Sequence, residues 1–175
     1  MPIFDPYSEL VAISTRHLHK KKNEPGHFWH ESFEKSFYLY GMHAAKYNIV
    51  KYQKAVLVEG EMDVCTLHSY GCKIAVGVCG GSFSFYQASL IARYCHELYL
   101  LTDPDESGMH SCIRAIHMRY QDQYFPEMRF IPVSLPNKQD PDEFVVYNGV
   151  KALSKIMKQK KQQKKETCED FGIAR

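Results

Sequence analysis

Three short acidic segments of the sequence carry residue types that could perform chemistry on phosphate groups. They are Glu59-Gly60-Glu61-Met62-Asp63, Asp103-Pro104-Asp105 and Asp140-Pro141-Asp142. In an open α/β sheet, ligands bind where the carboxyl ends of the strands meet, so segments that follow strands are expected to converge there. Carboxylates held close together repel one another unless a cation lies between them. Oxygen ligands of this kind suit Mg²⁺, which also binds substrate phosphates.

The elements that must position these segments are strands, because each acidic segment follows an apolar run. The runs are 55–58, 98–101 and 130–133. Upstream, residues 9–20 predict a strand or one arm of a hairpin, followed by a turn. The later patterns predict strands at 55–59, 73–78, 97–102 and 128–134, and helices at 36–51, 61–70, 84–95, 107–121 and 142–165. Strands that alternate with helices are typical of a parallel sheet.

Each acidic segment also has a simpler interpretation. Asp-Pro pairs are common in turns, and an acidic residue after a strand is often the N-cap of the next helix. One segment alone would be weak evidence for a site. Three segments in order, each tied to the end of a strand, favour a metal site.

In combination, these motifs resemble a Toprim domain, the catalytic fold shared by topoisomerases and bacterial-type primases. The primase version reads EGxxD, a Gly-containing loop, DxDxxG and DPDEF, each after a strand. The matching segments here are 59–63, Gly80-Gly81, 103–108 and 140–144. Upstream, Lys35 with Leu39-Tyr40-Gly41 resembles the K-x-x-x-LYG segment of the bacterial (DnaG-type) primase core. Residues 5–16, which end in Arg16, resemble an earlier segment of that core.

The resemblance implies an α/β fold in which a Toprim (Rossmann-like) parallel sheet is flanked by helices, with a small N-terminal α+β subdomain of primase-core type. It divides the chain into a basic N-terminal part of the primase core at 1–52, the Toprim catalytic domain at 53–150 and a basic C-terminal helix or tail at 151–175. The implied function is that of a DNA primase core, which joins ribonucleotides on a single-stranded DNA template with Mg²⁺ or Mn²⁺. The alternatives are a Toprim-type metal-dependent nuclease and a non-catalytic nucleic-acid-binding module of a replication complex.

The resemblance also implies roles for individual residues. Glu59 would bind metal or act as an acid or base, and Asp63 would support that part of the catalytic site. Gly60 and Gly80 would let the backbone approach the site closely. Asp103 and Asp105 would be catalytic residues and metal ligands, and Asp140 and Asp142 would be further metal ligands. Phosphates of the nucleotide or nucleic acid would be bound by Arg16, Lys35 and His27.

Two positions depart from the family pattern. Pro104 stands in the middle of DxD, where family members often have glycine, and proline removes a backbone donor. His27 stands where the family carries the lysine of a PKY-like segment, so a basic contact there would depend on pH.

Composition sets further expectations. The net charge is only +2, but residues 16–22 and 151–165 are rich in basic side chains, and the second run is expected to be a solvated helix face or tail. The six cysteines have no CxxC spacing, so buried free thiols are expected rather than a zinc site. The zinc-binding module and the helicase-binding domain of bacterial primases are not visible. A zinc-binding module in cis or in trans and a replicative helicase are therefore expected partners.

The sequence has neither the ~18–20-residue apolar stretch of a membrane helix nor the features of a secretory signal. The expected location is the cytoplasm, or the host cytoplasm for a phage-encoded chain. A small virus- or plasmid-encoded primase and a piece of a longer primase both fit the sequence.

Overall fold

The computed structural model describes residues 1–16, 27–28, 33–79, 82–101 and 127–170. Its helices are α1 (Met42–Tyr52), α2 (Glu61–Ser69), α3 (Phe85–Ala92) and α4 (Pro141–Asp170), with 3₁₀ turns at Lys35–Phe37 and Pro136–Lys138. Its strands are β1 (Pro2–Phe4), β2 (Leu10–Ile13), β3 (Thr15–Arg16), β4 (His27–Phe28), β5 (Leu39–Tyr40), β6 (Lys54–Val58), β7 (Ala75–Val78), β8 (Glu97–Leu100) and β9 (Arg129–Pro132).

The centre of the fold is a mixed, mostly parallel sheet with strand order β5-β7-β6-β8-β9. Strand β5 runs antiparallel to β7, and the other neighbours are parallel. The chain leaves β6 through α2 to reach β7 on one side, and α3 then leads to β8 on the other side. Because parallel crossovers are right-handed, α2 and α3 lie on opposite faces of the sheet. The α/β class predicted from the sequence is confirmed.

The sheet is buried because its strands are continuous apolar runs, as a sheet covered on both faces requires. The last four residues of β6 and all of β7 and β8 are buried. Helix α1 contributes Met42, Ala45 and Ile49 to the same core. Helix α2 packs against both β7 and α4. The sheet and the helices that cover it therefore form the main core of the fold.

The helix predicted at 36–51 is wrong at its beginning. Residues 35–37 form a 3₁₀ turn, Leu39 and Tyr40 form the edge strand β5, and α1 begins at Met42. Gly41 separates strand from helix with φ of 77°, and a Cβ there would lie 2.7 Å from Val64 Cγ1. The left-handed conformation stops any helix before this point.

The N-terminal segment forms two small antiparallel ladders, β1 with β2 and β3 with β4. A second core joins the first ladder to the main sheet, because Ile3 and Ala12 pack with Cys79, the residue after β7. The predicted hairpin arm therefore corresponds to β2 and β3. The domain bounds predicted at residues 52 and 150 remain predictions.

Helix α4 packs against α2 and β9 and is interrupted at Gly149. Its C-terminal half is tied to the amino edge of the sheet by Glu97 of β8. The Glu97 carboxylate accepts from Lys161 Nζ at 2.6 Å, from the Tyr99 hydroxyl at 3.0 Å and from the Arg129 guanidinium. The predicted solvated tail thus has one lysine in a structural ion pair. Within the described ranges, no helix is long and apolar enough to cross a membrane.

Candidate functional site

The carboxyl ends of β6, β8 and β9 lie in one row. Leu57 is in register with Leu100, and Leu100 is in register with Pro132. The row continues past the strands, because Leu101 N–H donates to Leu57 O and Val133 N–H donates to Leu100 O, both at 2.9 Å. The strand that follows β6 in the chain is its neighbour β7 on one side, and the strand that follows β8 is its neighbour β9 on the other side. The gap between these two strands is therefore a topological switch point, where ligands of open α/β sheets bind.

Glu59 lies on the β6 side of this switch point, in a turn closed by the start of α2. Gly60 is the N-cap of α2, and its backbone N–H donates to Asp63 Oδ2 at 3.0 Å. A Cβ on Gly60 would lie 2.8 Å from that oxygen, so a larger residue would disturb the contact. Glu59 and Asp63 are both half-buried. Gly60 thus brings the backbone close to Asp63.

Lys35 lies at the same edge of the sheet because β5 runs antiparallel. Leu39 of β5 pairs with Val78 at the carboxyl end of β7, so the residues before Leu39 extend beyond that end. The 3₁₀ turn is held by the buried Gln87 side chain, whose Nε2 donates to Lys35 O at 3.1 Å and to Tyr38 O at 2.8 Å. The Lys35 side chain is exposed, as a phosphate contact requires.

Arg16 and His27 lie opposite each other in the β3–β4 ladder. The fold therefore brings together two residues that were predicted separately to contact phosphates.

Asp140 and Asp142 lie at the start of α4, beyond the carboxyl end of β9. Asp140 O accepts from Phe144 N–H at 2.9 Å, and Asp142 Oδ1 accepts from Glu143 N–H at 2.7 Å. Asp140 is exposed and Asp142 is half-buried. Asp103, Asp105 and Gly80, which the sequence also predicted for the site, lie outside the described residues.

Glu61 is a buried carboxylate that the sequence did not single out. It is 5% exposed, and its Oε1 has no hydrogen-bond partner among the described residues. The pKa of the Cys79 thiol is raised to about 12, mainly by burial and also by the Glu61 carboxylate, while the Lys35 ammonium acts in the opposite direction. Burial, the Cys65 thiol and Glu61 likewise raise the pKa of Tyr40. Glu61 and Lys35 therefore both act on Cys79 electrostatically, with opposite sign.

The side chains at the predicted Mg²⁺ site can be compared with the ligands that this ion prefers. Glu59, Asp140 and Asp142 are carboxylates, which are the ligands that a hard cation prefers. In the part of the chain that the structure describes, no three His, Cys, Asp or Glu side chains are grouped so that they could hold a metal. The donor chemistry fits the ion, and the described residues supply part of the predicted ligand set.

A cavity of about 380 Å³ lies at the opposite edge of the sheet. Its lining includes Lys54, Lys73 and Lys158, and also Tyr52 at the end of α1. Ligands of open α/β sheets bind at the carboxyl edge, so this cavity lies away from the candidate site at the switch point.

Comparison with known proteins bears directly on this arrangement. A family model described as Toprim-like matches residues 56–145, from within β6 to the start of α4. The chain belongs to the Toprim-like family. The match includes Glu59, Asp63, Asp103, Asp105 and both acidic residues of the third segment.

The Toprim-like chain is similar to bacterial DNA primases over most of its length. A DNA primase of Aquifex aeolicus is 29% identical over 162 residues, which are 90% of this chain and 31% of that protein. The crystal structure of the zinc-binding and RNA polymerase domains of the Aquifex aeolicus primase superposes with a TM-score of 0.80 at 28% identity, covering 91% of this chain and 39% of that one. A DnaG primase catalytic domain bound to ssDNA gives 0.74 at 25% identity, covering 90% and 51%.

Sequence reasoning missed the residue that anchors the Lys35 turn of this Toprim-like chain. Ser84 and Gln87 form a capping box at the start of α3, in which Ser84 N–H donates to Gln87 Oε1 and Gln87 N–H donates to Ser84 Oγ, both at 3.0 Å. The S-x-x-Q spacing is a readable signal for a helix start. The same Gln87 side chain also donates to the carbonyls of Lys35 and Tyr38, and these contacts arise only when the chain has folded.

Of the four cysteines whose side chains the structure describes, three agree with the prediction of buried free thiols and one does not, and the Cys112 and Cys168 side chains lie outside that part. Cys72, Cys79 and Cys95 are free and buried, whereas Cys65 is free and exposed. Cys65 lies on the outer side of α2, 3.5 Å from the Tyr40 hydroxyl.

Proposed function

We propose that this chain is the catalytic core of a DNA primase, which makes short RNA primers on a single-stranded DNA template from ribonucleoside triphosphates. The observation that carries the proposal is the aligned carboxyl edge of β6, β8 and β9, with an acidic segment after each strand. The similarity to bacterial primases over 90% of the chain supports it.

In the proposed reaction, the 3′-hydroxyl of the growing RNA attacks the α-phosphate of the incoming ribonucleotide, and pyrophosphate leaves. When bound, Mg²⁺ or Mn²⁺ would neutralise negative charge on the reacting phosphate oxygens. The residues proposed to hold the ion are carboxylates of the three acidic segments, namely Glu59, Asp103, Asp105, Asp140 and Asp142.

Other residues of the chain would orient the reactants. Asp63 fixes the turn that carries Glu59 through its hydrogen bond from Gly60. Glu59 is then placed to hold the ion or to take up the proton of the attacking hydroxyl. Lys35, with Arg16 and His27 on the β3–β4 ladder, would bind phosphates of the nucleotide or template. Cationic side chains at these points would also favour the charge that develops on the phosphates.

Two partners are part of the proposal. The Aquifex aeolicus primase structure combines zinc-binding and RNA polymerase domains. We therefore expect a zinc-binding module, in the same protein or in another chain, to select the template here. A replicative helicase would place the core at the replication fork.

The test is a gel assay with single-stranded DNA, labelled ribonucleotides and Mg²⁺ or Mn²⁺. Wild type, Asp103→Asn and Asp142→Asn are compared with Glu127→Gln, which removes an exposed carboxylate at the amino edge of β9. Short RNA is expected from wild type and from Glu127→Gln. The two Asn variants should lose metal-dependent RNA synthesis while they remain folded. Metal-dependent shortening of the DNA instead would identify a nuclease. DNA binding without either product would identify a non-catalytic module.

A further inference from the structure

Two aromatic rings are exposed side by side near the proposed catalytic edge. The ring centroids of Phe37 and Tyr86 lie 4.3 Å apart with an interplanar angle of 33°. Phe37 is 46% exposed and Tyr86 is 53% exposed. A single exposed apolar residue is common on protein surfaces. Here two exposed rings from distant parts of the chain contact each other.

The location of the pair follows from the topology. Phe37 ends the 3₁₀ turn that precedes β5, and β5 enters the sheet opposite the carboxyl end of β7. Tyr86 is the second residue of α3, which follows β7. Both rings therefore lie at the carboxyl edge. Strand β5 is two strands away from β6, which at ~4.8 Å per strand is a lateral distance of about 10 Å.

The backbone beneath the rings is fixed before any ligand binds. Gln87, which is 1% exposed, donates to Lys35 O and Tyr38 O, on either side of Phe37. The Ser84 hydroxyl donates to Ser36 O. A surface that is already ordered loses little conformational entropy on binding, which favours affinity.

Charge next to the rings indicates which ligand they suit. Lys35 belongs to the same 3₁₀ turn as Phe37, and its side chain is exposed. A cation that reaches phosphates beside an aromatic surface that stacks on bases is the usual mode of binding single strands.

We propose that Phe37 and Tyr86 form a stacking platform for the bases of a single-stranded nucleic acid that enters the site past Lys35. The inference rests on the proposed function and adds the residues that hold the strand by its bases. The platform contributes affinity without reading the base, because every base has a face that can stack.

The experiment measures binding of this chain to a labelled oligothymidine by fluorescence anisotropy. The variants are Phe37→Leu, Tyr86→Leu and both together, which keep apolar bulk but remove the rings. The matched control is Tyr147→Leu, since Tyr147 is 78% exposed on α4. We expect about tenfold weaker binding for the double variant and an unchanged Kd for the control. A strand of equal length with abasic sites should bind wild type and double variant alike.

A second measurement does not depend on the leucine variants. In Phe37→Trp the new indole should be quenched by the oligothymidine and not by the abasic strand. If the double variant loses affinity for DNA alone, the platform binds the template. If it loses the same affinity for an RNA strand, the platform can bind either strand. Equal loss on the abasic strand, or unchanged binding of the double variant, overturns the platform and leaves the primase proposal in place. Failure of wild type to bind any single strand overturns both.

Discussion

The Asp63 carboxylate accepts a 3.0 Å hydrogen bond from the backbone N–H of Gly60, and this contact closes the turn after Glu59. The first N–H groups of a helix lack partners within the helix, so a side chain that satisfies one of them stabilises the helix start. The acidic residue at the end of EGxxD therefore has a structural role as well as its proposed catalytic one.

Removal of the Asp63 carboxylate should destabilise the start of α2. We expect Asp63→Ala to lower the free energy of unfolding by about 1 kcal/mol, the usual cost of losing a helix cap. Asp63→Asn is the matched control, because its amide oxygen can still accept from Gly60 N–H, and it should lose less. Urea denaturation monitored by circular dichroism measures both values. Equal stabilities of all three proteins would contradict a capping role.

The ion pairs of Glu97 should stabilise the fold by an amount that depends on pH. Burial raises the pKa of Glu97, but Lys161, Tyr99 and Arg129 lower it more, and the pKa lies below its ordinary value of 4.5. A carboxylate with a depressed folded pKa stabilises the fold above its unfolded pKa, and this contribution is lost as the pH falls through the folded pKa.

Glu97→Gln should therefore lower the free energy of unfolding by about 1–3 kcal/mol at pH 7, because Arg129 and Lys161 lose their counter-charge. The gap between wild type and variant should narrow as the pH falls below about 4. Urea denaturation of both proteins across this range measures the gap. A gap that is independent of pH would argue against the ion pairs.

The sequence predicted the strands of the main sheet well, because buried parallel strands are continuous apolar runs that differ from their surroundings. It failed at residues 36–41, where Leu39 and Met42 have helical spacing but lie in different elements. Only the pairing of Leu39 with Val78 decides for a strand, and pairing between distant segments leaves no local pattern.

The candidate site was predictable only in part, for the same reason. The acidic segments were readable from their spacing and the strands before them. The contacts of Gln87 with the Lys35 turn and of Lys161 with Glu97 join segments far apart in the chain. Such contacts depend on how helices pack on the sheet, which residue spacing does not encode.

Protonation of His68 should lower the free energy of unfolding in mildly acidic solution. Its Nε2–H donates to Ala75 O at 2.9 Å. Burial lowers the pKa of His68 below 6.5, and the charges of Lys73 and His43 lower it further, against the opposing effect of the hydrogen bond. Since the unfolded chain binds the proton more readily, the contribution of neutral His68 is present above pH 6.5 and is lost as the pH falls.

His68→Gln separates this contribution from those of other groups, because glutamine can donate to Ala75 O and does not titrate. The free energy of unfolding, measured between about pH 7 and pH 5, should fall less for the variant than for wild type. If the free energy of unfolding falls equally with pH in both proteins, His68 has the same pKa in the folded and unfolded chains, which contradicts the prediction.

Lys35 should contribute to nucleic-acid binding through charge. Lys35→Ala should weaken binding to single-stranded DNA and reduce the slope of log Kd against log salt by about one, as expected for the loss of one phosphate contact. Lys35→Arg should retain the slope. Lys51→Ala is the control, since Lys51 lies near the end of α1, which leads to the start of β6 at the opposite edge of the sheet. Equal slopes for Lys35→Ala and Lys51→Ala would exclude a specific phosphate contact at Lys35.

Gln87 should link stability to binding, because it holds the turn that carries Lys35 and Phe37. Gln87→Glu keeps the shape of the side chain and an acceptor for Ser84 N–H but removes the donors to Lys35 O and Tyr38 O. Two carbonyls would lose their buried donor, which should cost about 1–3 kcal/mol in the free energy of unfolding. Single-stranded DNA should bind more weakly as well, since the turn that carries Lys35 would no longer be fixed.

Ser89→Ala, which removes a hydroxyl bonded within α3 itself, is the control for helix stability. A Gln87→Glu protein that loses stability but binds DNA like wild type would show that the turn serves the fold alone.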